Sequence, residues 1–122
     1  MPIRLMICDD HEVIRTGLAS LLAGPEIEIV AEAANGKDAL KLAVKDKPDI
    51  ILLDIQLPVM DGYSALLKIR EFSKDVIIIA QTAYGLLGDK EKILNSGFND
   101  YVIKPILAQN LIDKLVANLS KR

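Results

Sequence analysis

The amino-acid sequence predicts an α/β domain in which a parallel β-sheet carries helices on both faces. Strand-like and helix-like hydrophobic patterns alternate along the whole chain, as they do when crossover helices connect parallel strands. Residues 49–54 and 76–80 contain uninterrupted apolar runs, which are typical of strands that are buried on both faces. The chain has 122 residues, a suitable length for a single domain, and we therefore expect one domain over residues 1–122.

The predicted elements number five strands and five helices. In chain order they are strand 3–8, helix 12–23, strand 26–33, helix 36–46, strand 49–54, helix 63–72, strand 76–80, helix 89–96, strand 100–104 and a last helix after Leu107. Gly97 ends the fourth helix, and Gly85 and Gly88 suit a mobile loop before it. Right-handed crossovers between these units are compatible with a doubly wound, flavodoxin-like sheet of strand order 2-1-3-4-5.

Hydrophobic periodicity also predicts which face of each element is buried. In the second strand, Ile27, Ile29, Ala31 and Ala33 alternate with mostly polar residues, which indicates one exposed face near a sheet edge. The helix positions that we expect to face inward are Val13, Ile14, Gly17, Leu18, Leu21 and Leu22 in the first helix, Ala39, Leu40, Ala43 and Val44 in the second, and Leu107, Leu111, Ile112, Leu115, Val116 and Leu119 in the last.

Composition excludes several classes of protein. A formal net charge of −2 gives no electrostatic reason to bind nucleic acid or an anionic membrane. Cys8 is the only cysteine, so an internal disulfide is impossible. No apolar stretch approaches the roughly 20 residues of a membrane span, and the first ten residues do not resemble a signal peptide. We expect a soluble domain in the cytoplasm.

Polar residues that could take part in a reaction follow the predicted strands at their carboxyl ends. Asp9 and Asp10 follow the first strand, Asp54 ends the third, Thr82 follows the fourth, and Lys104 ends the fifth. Ligands of open parallel sheets bind at this edge, beside the change in strand order. Three converging carboxylates repel one another, and Mg²⁺ with oxygen ligands would compensate this charge. An acid beside a metal, a lysine and a hydroxyl group suits covalent phosphoryl transfer.

Single residues of this group have simpler interpretations. Asp10 could cap the helix that begins near His11, because Asp is a common N-cap residue. His11 could bind the metal, although a first-turn histidine that faces solvent is the favoured interpretation. Cys8 is expected to be a buried strand residue rather than a reactive thiol.

Five motifs in order resemble the receiver domain of two-component response regulators, over essentially the whole chain. They are Asp9–Asp10, the segment LLDIQLPVMDG around Asp54, the QTA that contains Thr82, Asp100–Tyr101 and Lys104–Pro105. The early segment DDHEVIRTGLASLL is similar to receivers of LuxR-type regulators. The segments DIQLPVMDGYSAL and AQTAYGLLGDKEKILNSGFNDYVIKPI are more similar to receivers of hybrid histidine kinases.

The resemblance implies a phosphoacceptor and a metal site. Asp54 would be the phosphoacceptor. Asp10 and Asp54 would bind Mg²⁺ directly, Asp9 would bind it through water, and the backbone carbonyl of Gln56 would complete the protein ligands.

The resemblance also implies the residues that respond to phosphorylation. Lys104 would contact the phosphoryl group, and the peptide bond between Lys104 and Pro105 would be cis. Thr82 would move toward the phosphoryl group, and Tyr101 would turn inward. The surface of the fourth helix, the fifth strand and the fifth helix would then change.

Partners follow from the same resemblance. The phosphoryl group would come from a phosphohistidine of a histidine kinase or a histidine phosphotransfer protein. The domain would catalyse its own phosphorylation and slow dephosphorylation, and it would not turn over a separate substrate. The sequence does not specify an output domain or downstream protein, and it leaves open a homodimer that forms on phosphorylation. Direct binding of nucleic acid or membrane is not expected.

Three other functions compete with that of a receiver domain. A haloacid-dehalogenase-like phosphatase also uses an aspartyl nucleophile and Mg²⁺, but it requires a second Asp at the position of Gln56. A flavin-mononucleotide carrier requires a phosphate-binding loop after the first strand, where this chain has Asp9 and Asp10. A pseudo-receiver that only binds proteins usually lacks one of the acids or the lysine, and this chain has all of them.

Overall fold

The structure, a computed structural model, describes residues 2–83 and 87–121, with residues 87–89 described as backbone. Its elements in chain order are β1 (Ile3–Cys8), α1 (Glu12–Leu22), β2 (Ile27–Ala33), α2 (Gly36–Asp46), β3 (Ile50–Asp54), α3 (Gly62–Phe72), β4 (Ile77–Thr82), α4 (Leu87–Asn95), β5 (Asp100–Ile103) and α5 (Ala108–Ser120). All neighbouring strands are parallel, and their order is β2-β1-β3-β4-β5. The predicted fold class is therefore confirmed.

The central strand β3 is buried along its whole length, as its apolar run predicts. Alternate residues of the sheet pack into two separate cores. Ile51 and Leu53 belong to the core that includes buried residues of α2 and α3, whereas Ile50 and Leu52 belong to the core that includes buried residues of α1 and α5. This two-sided packing fixes β3 in place and thereby fixes the position of Asp54 at its end.

The second strand lies at the edge of the sheet, as predicted, but it contains an irregularity. Its register with β1 shifts so that Val30 is left between two paired residues. Ile27 and Ile29 therefore pack in the core of α1 and α5, and Ala31 and Ala33 pack in the core of α2 and α3. The prediction that these four residues share one face was wrong, because one extra residue reverses the face of every residue that follows.

The helices bury narrower faces than their apolar patterns suggest. In α1, Leu18 and Leu22 are buried, but Val13 is 85% exposed and Leu21 is 66% exposed. Other predicted inward residues that are exposed are Ile14, Gly17, Val44, Leu107 and Val116. A helix on a sheet contacts it along one stripe, and apolar residues beside that stripe stay in water.

The remaining expectations concern boundaries. The fourth helix begins at Leu87, so Gly88 is helical rather than in a loop, and Gly85 lies outside the described residues. Gly97 follows the helix with a φ of 117°, a conformation that glycine adopts readily.

The Lys104–Pro105 bond is cis, as the resemblance implied. In the described part of the chain, every helix is too short or too polar to cross a membrane.

Candidate functional site

The sheet order brings the predicted site residues to one edge. Asp9 directly follows β1, Asp54 ends β3, Thr82 ends β4, and Lys104 directly follows β5. Asp9, Asp54 and Thr82 are 0%, 1% and 7% exposed. Carboxylates this deeply buried require charged or hydrogen-bonding partners.

The carboxylate of Asp54 is held at both oxygens. Lys104 donates from Nζ to Oδ2 at 2.7 Å, and the backbone N–H of Gln56 donates to Oδ1 at 3.0 Å. Burial raises the pKa of Asp54 above its ordinary value, and these two hydrogen bonds oppose the rise only in part. The ionised form of Asp54 therefore lacks full compensation and would be stabilised by a further cation.

Asp9 has a different set of partners. Its Oδ1 accepts from the backbone N–H of His11 at 2.8 Å, and its Oδ2 accepts from Nε2 of Gln81 at 2.7 Å. The nearest ammonium, Nζ of Lys104, lies 3.9 Å from Oδ2. Sequence reasoning gave Gln81 no role, although a polar residue at the end of an apolar run was a usable signal.

Among the described residues, Asp9, Asp10 and His11 form a group that could hold a metal ion, since their ligand atoms all lie within 4.8 Å of one another. His11 is exposed, as expected, but its Nδ1 lies 3.2 Å from Asp9 Oδ1 and 3.1 Å from Asp10 Oδ1. Asp54 is outside this group. The two carboxylates supply hard oxygen ligands of the type that Mg²⁺ prefers, so the residues present fit that ion.

The N-terminus of α1 decides the alternative role of Asp10. His11 is the N-cap residue of this helix, and its side chain makes no capping hydrogen bond. The interpretation of Asp10 as the N-cap is therefore wrong, and its exposed carboxylate extends the acidic group beside Asp9.

Tyr101 is half-buried and is held by α5. The ammonium of Lys114 lies 4.6 Å from the centre of the Tyr101 ring and donates to the Tyr101 carbonyl oxygen. Lys114 and Asn118 also donate to the two carboxylate oxygens of Asp100, at 3.1 and 3.0 Å. These contacts attach β5 to α5 at Tyr101, the residue that the resemblance predicts to turn inward on phosphorylation.

The loop between β3 and α3 passes close to the phosphoacceptor candidate. A Cβ atom on Gly62 would lie 2.5 Å from the carbonyl oxygen of Asp54, so only glycine fits there without displacement. Asp61 caps α3 by accepting from the backbone N–H of Ser64 at 2.8 Å. Val59 has a φ of 68°, which is a strained conformation for a β-branched residue.

Comparisons with known proteins identify the family of the chain. The family model of the response regulator receiver domain matches residues 5–116. The chain belongs to this family. This receiver domain is 37% identical to the response regulator protein VraR of Staphylococcus epidermidis over 116 residues, and the match covers 93% of this chain. It covers 54% of that protein, so the chain spans about half the length of this relative.

Solved receiver structures share the fold over nearly the whole chain. A LuxR-family two-component response regulator from Aurantimonas is 30% identical with a TM-score of 0.91, and the match covers 100% of this chain and 88% of that one. CheY of Borrelia burgdorferi, solved in a complex with CheX, BeF₃ and Mg²⁺, is 26% identical with a TM-score of 0.91. This second match covers 98% of this chain and 90% of that one. The LuxR-family match fits the LuxR-type resemblance of the early segment.

Proposed function

We propose that this receiver domain accepts a phosphoryl group on Asp54 from a phosphohistidine of a histidine kinase or phosphotransfer protein. The observation that carries the proposal is the contact between Lys104 Nζ and Asp54 Oδ2, at 2.7 Å and at the end of a buried strand. A carboxylate that is rigidly held, largely dehydrated and next to an ammonium group has the position and the electrostatic support that phosphoryl transfer requires.

In the proposed reaction, a carboxylate oxygen of Asp54 attacks phosphorus while the bond between phosphorus and the donor imidazole breaks. The electron pair of that bond stays on the imidazole nitrogen, and an acyl phosphate forms on Asp54. Lys104 compensates negative charge on the transferring group, and Thr82 offers a hydroxyl group near it. Asp10, Asp54 and the backbone carbonyl of Gln56 would hold Mg²⁺ directly, and Asp9 would hold it through water. When bound, the ion would supply positive charge to the phosphoryl oxygens.

Two findings support the metal in this proposal. Asp9 and Asp10 place carboxylate oxygens in one group whose ligand atoms lie within 4.8 Å. The similar CheY structure was solved with BeF₃ and Mg²⁺.

We propose further that phosphorylation shifts a two-state equilibrium through Thr82 and Tyr101, and that the surface of α4, β5 and α5 carries the change. Support comes from the position of Thr82 at the end of β4, where its carbonyl oxygen accepts from the backbone N–H of Lys104 at 2.8 Å. Tyr101 lies on the neighbouring strand and pairs in register with Ala80.

The proposed partners are those of a signalling domain. The domain would catalyse only its own phosphorylation and slow dephosphorylation, in the cytoplasm. An output domain or a downstream protein would receive the signal, and a homodimer formed on phosphorylation is one route to that output. Direct binding of nucleic acid or membrane by this domain is not part of the proposal.

The test is phosphorylation of the full chain with acetyl phosphate and Mg²⁺, followed by intact-mass measurement. We expect a mass increase of one phosphoryl group, which Asp54→Ala abolishes and EDTA prevents. Asp113→Ala, which removes an exposed acid on α5, is the matched control and should retain the adduct. Absence of any adduct on the wild type, or an adduct that survives Asp54→Ala, would refute the proposal and favour a pseudo-receiver that only binds proteins.

A further inference from the structure

Among the described residues, Gln81 is the one whose amide side chain is fully buried and contacts the acidic site. Gln81 is 0% exposed and donates from Nε2 to Asp9 Oδ2 at 2.7 Å. Its backbone carbonyl oxygen accepts from the backbone N–H of Ile55 at 3.1 Å, and it pairs in register with Asp54. One residue therefore contacts Asp9 through its side chain and the start of the β3–α3 loop through its backbone.

The orientation of this amide is determined by its partner. A flipped amide would place Oε1 against the carboxylate oxygen of Asp9, and two acceptors repel each other. With the amide nitrogen on Asp9, Oε1 is buried and has no hydrogen-bond donor among the residues that the structure describes. An apolar side chain of similar length would fill the same volume without an unpaired oxygen. Packing alone therefore does not account for a glutamine at this position.

The hydrogen bond from Gln81 to Asp9 also affects Lys104, whose ammonium group lies near two carboxylates. Lys104 Nζ lies 2.7 Å from Asp54 Oδ2 but 3.9 Å from Asp9 Oδ2. Because Gln81 already donates to Asp9 Oδ2, Asp9 does not need the ammonium of Lys104 as its hydrogen-bond donor. Lys104 can then stay on Asp54.

We propose that Gln81 is a positioning residue that fixes the carboxylate of Asp9 for divalent-cation binding. Its amide holds Asp9 away from Lys104, so that Asp9 is oriented toward the cation before the cation arrives. A hydrogen bond to a metal-binding carboxylate from a neighbouring side chain acts in this way in many metal sites. The inference rests on the proposed Mg²⁺ site and assigns one more residue to it.

The first experiment measures the dissociation constant for Mg²⁺ by isothermal titration calorimetry on the full chain. Gln81→Met keeps the length of the side chain and removes the amide. We expect its affinity for Mg²⁺ to fall about tenfold or more, the range found when such supporting hydrogen bonds are removed. Gln109→Met is the matched control, because Gln109 also donates to a carboxylate, Asp113 Oδ1, at 2.8 Å, but on the exposed face of α5. Its affinity should equal that of the wild type.

A double-mutant cycle separates positioning from a general loss of stability. If Gln81 acts through Asp9, then Gln81→Met should weaken Mg²⁺ binding in the wild type and have little further effect in an Asp9→Asn background. Equal weakening in both backgrounds would overturn the inference. Unchanged affinity of Gln81→Met in the wild-type background would overturn it as well.

A measurement on the unmodified chain keeps the inference testable if Gln81→Met does not fold. In a ¹⁵N-labelled sample, the side-chain amide resonance of Gln81 should shift during Mg²⁺ titration, and that of Gln109 should not. A Gln81 resonance that stays unmoved at saturating Mg²⁺ would contradict the inference. If the wild type itself does not bind Mg²⁺, the proposed metal site fails first, and that outcome is distinct from a bound ion with an unaffected Gln81.

Discussion

Nζ of Lys104 lies 2.7 Å from Oδ2 of Asp54, although the two residues are 50 positions apart in the sequence. Lys104 follows the edge strand β5 and Asp54 ends the central strand β3, so the contact reaches across the end of β4. Asp54 is 1% exposed, and its interaction with Lys104 is therefore weakly screened by solvent. The pair places a positive charge beside the carboxylate at the edge where the other acids converge.

Replacement of Asp54 by asparagine should stabilise the folded chain at neutral pH in the absence of metal. Burial raises the pKa of Asp54 above its unfolded value, so the folded state binds the proton more tightly. The stability of the wild type therefore falls as pH rises from the unfolded pKa, about 3.9, through the raised folded pKa. Asp54→Asn removes this loss, and we expect a higher unfolding free energy than that of the wild type at pH 7.

Urea unfolding in EDTA at a series of pH values checks this prediction. The difference in unfolding free energy between Asp54→Asn and the wild type should shrink toward zero below the unfolded pKa of the carboxyl. A difference that does not change with pH would show that the ionisation of Asp54 is not its cause.

Gly62→Ala should destabilise the domain and disturb the phosphoacceptor. The added Cβ would lie 2.5 Å from the Asp54 carbonyl oxygen and 2.6 Å from Ile55 Cα, so the backbone must move. We expect a loss of about 1–3 kcal/mol and slower phosphorylation by acetyl phosphate. The matched control is Gly17→Ala in α1, where nothing lies within 4 Å of the added atom. That change should stabilise the domain by about 0.5–1 kcal/mol, because alanine favours helix. Equal effects of the two substitutions would contradict the prediction.

Lys114→Met should weaken the attachment of β5 to α5. The substitution removes the hydrogen bonds from Nζ to Asp100 and Tyr101 and the contact with the Tyr101 ring. We expect a loss of about 1 kcal/mol at neutral pH. Lys41→Met on the exposed surface of α2 is the control and should change stability little.

The effect of Lys114→Met should depend on pH. Partial burial alone would raise the pKa of Asp100, but hydrogen bonds from Tyr101 N–H, Asn118 and Lys114 bring it below its ordinary value. The stability that this provides is present above the unfolded pKa and is lost as pH falls through the lower folded pKa. The difference between wild type and variant, measured by urea unfolding, should therefore diminish in acid. A constant difference would mean that the charge pair contributes nothing.

Val59→Asn should stabilise the β3–α3 loop. Val59 has a φ of 68° and is 85% exposed, so it has conformational strain and little burial to offset it. Asparagine tolerates this conformation better, and we expect a gain of about 1 kcal/mol. Thermal unfolding of Val59→Asn and of a control, Val13→Asn, which alters a similarly exposed valine at the start of α1, tests this expectation. Destabilisation by Val59→Asn would show that the valine side chain makes a contribution that its exposure does not reveal.

The residue pattern predicted the strands, their order and the site edge for a clear physical reason. Strands covered on both faces require continuous apolar residues, and β3 and β4 carry such runs. The first polar residues after such a run mark where a strand reaches water or a site. That rule located Asp9, Asp54 and Lys104 without any knowledge of distances. After the apolar run of β4 it indicates Gln81 as well as Thr82, although only Thr82 was predicted to belong to the site.

The same pattern could not predict features that depend on register or on competition between surfaces. The face reversal at Val30 arises from pairing with β1, which local alternation does not encode. The exposed positions of Val13 and Leu21 depend on where α1 crosses the sheet. The apolar residues follow the predicted periodicity, but the packing of the neighbouring layer decides how many of their side chains are buried.

The sequence by itself determined the fold class and placed Asp9, Asp54, Thr82 and Lys104 at one edge of the sheet, because alternation and strand ends are local properties. Only the tertiary structure decided which of those residues contact one another. The ammonium of Lys104 lies closer to Asp54 than to Asp9, and the amide of Gln81 donates a hydrogen bond to Oδ2 of Asp9. Such choices depend on differences of about an ångström between side chains from distant strands, and hydrogen-bond strength changes steeply over that range.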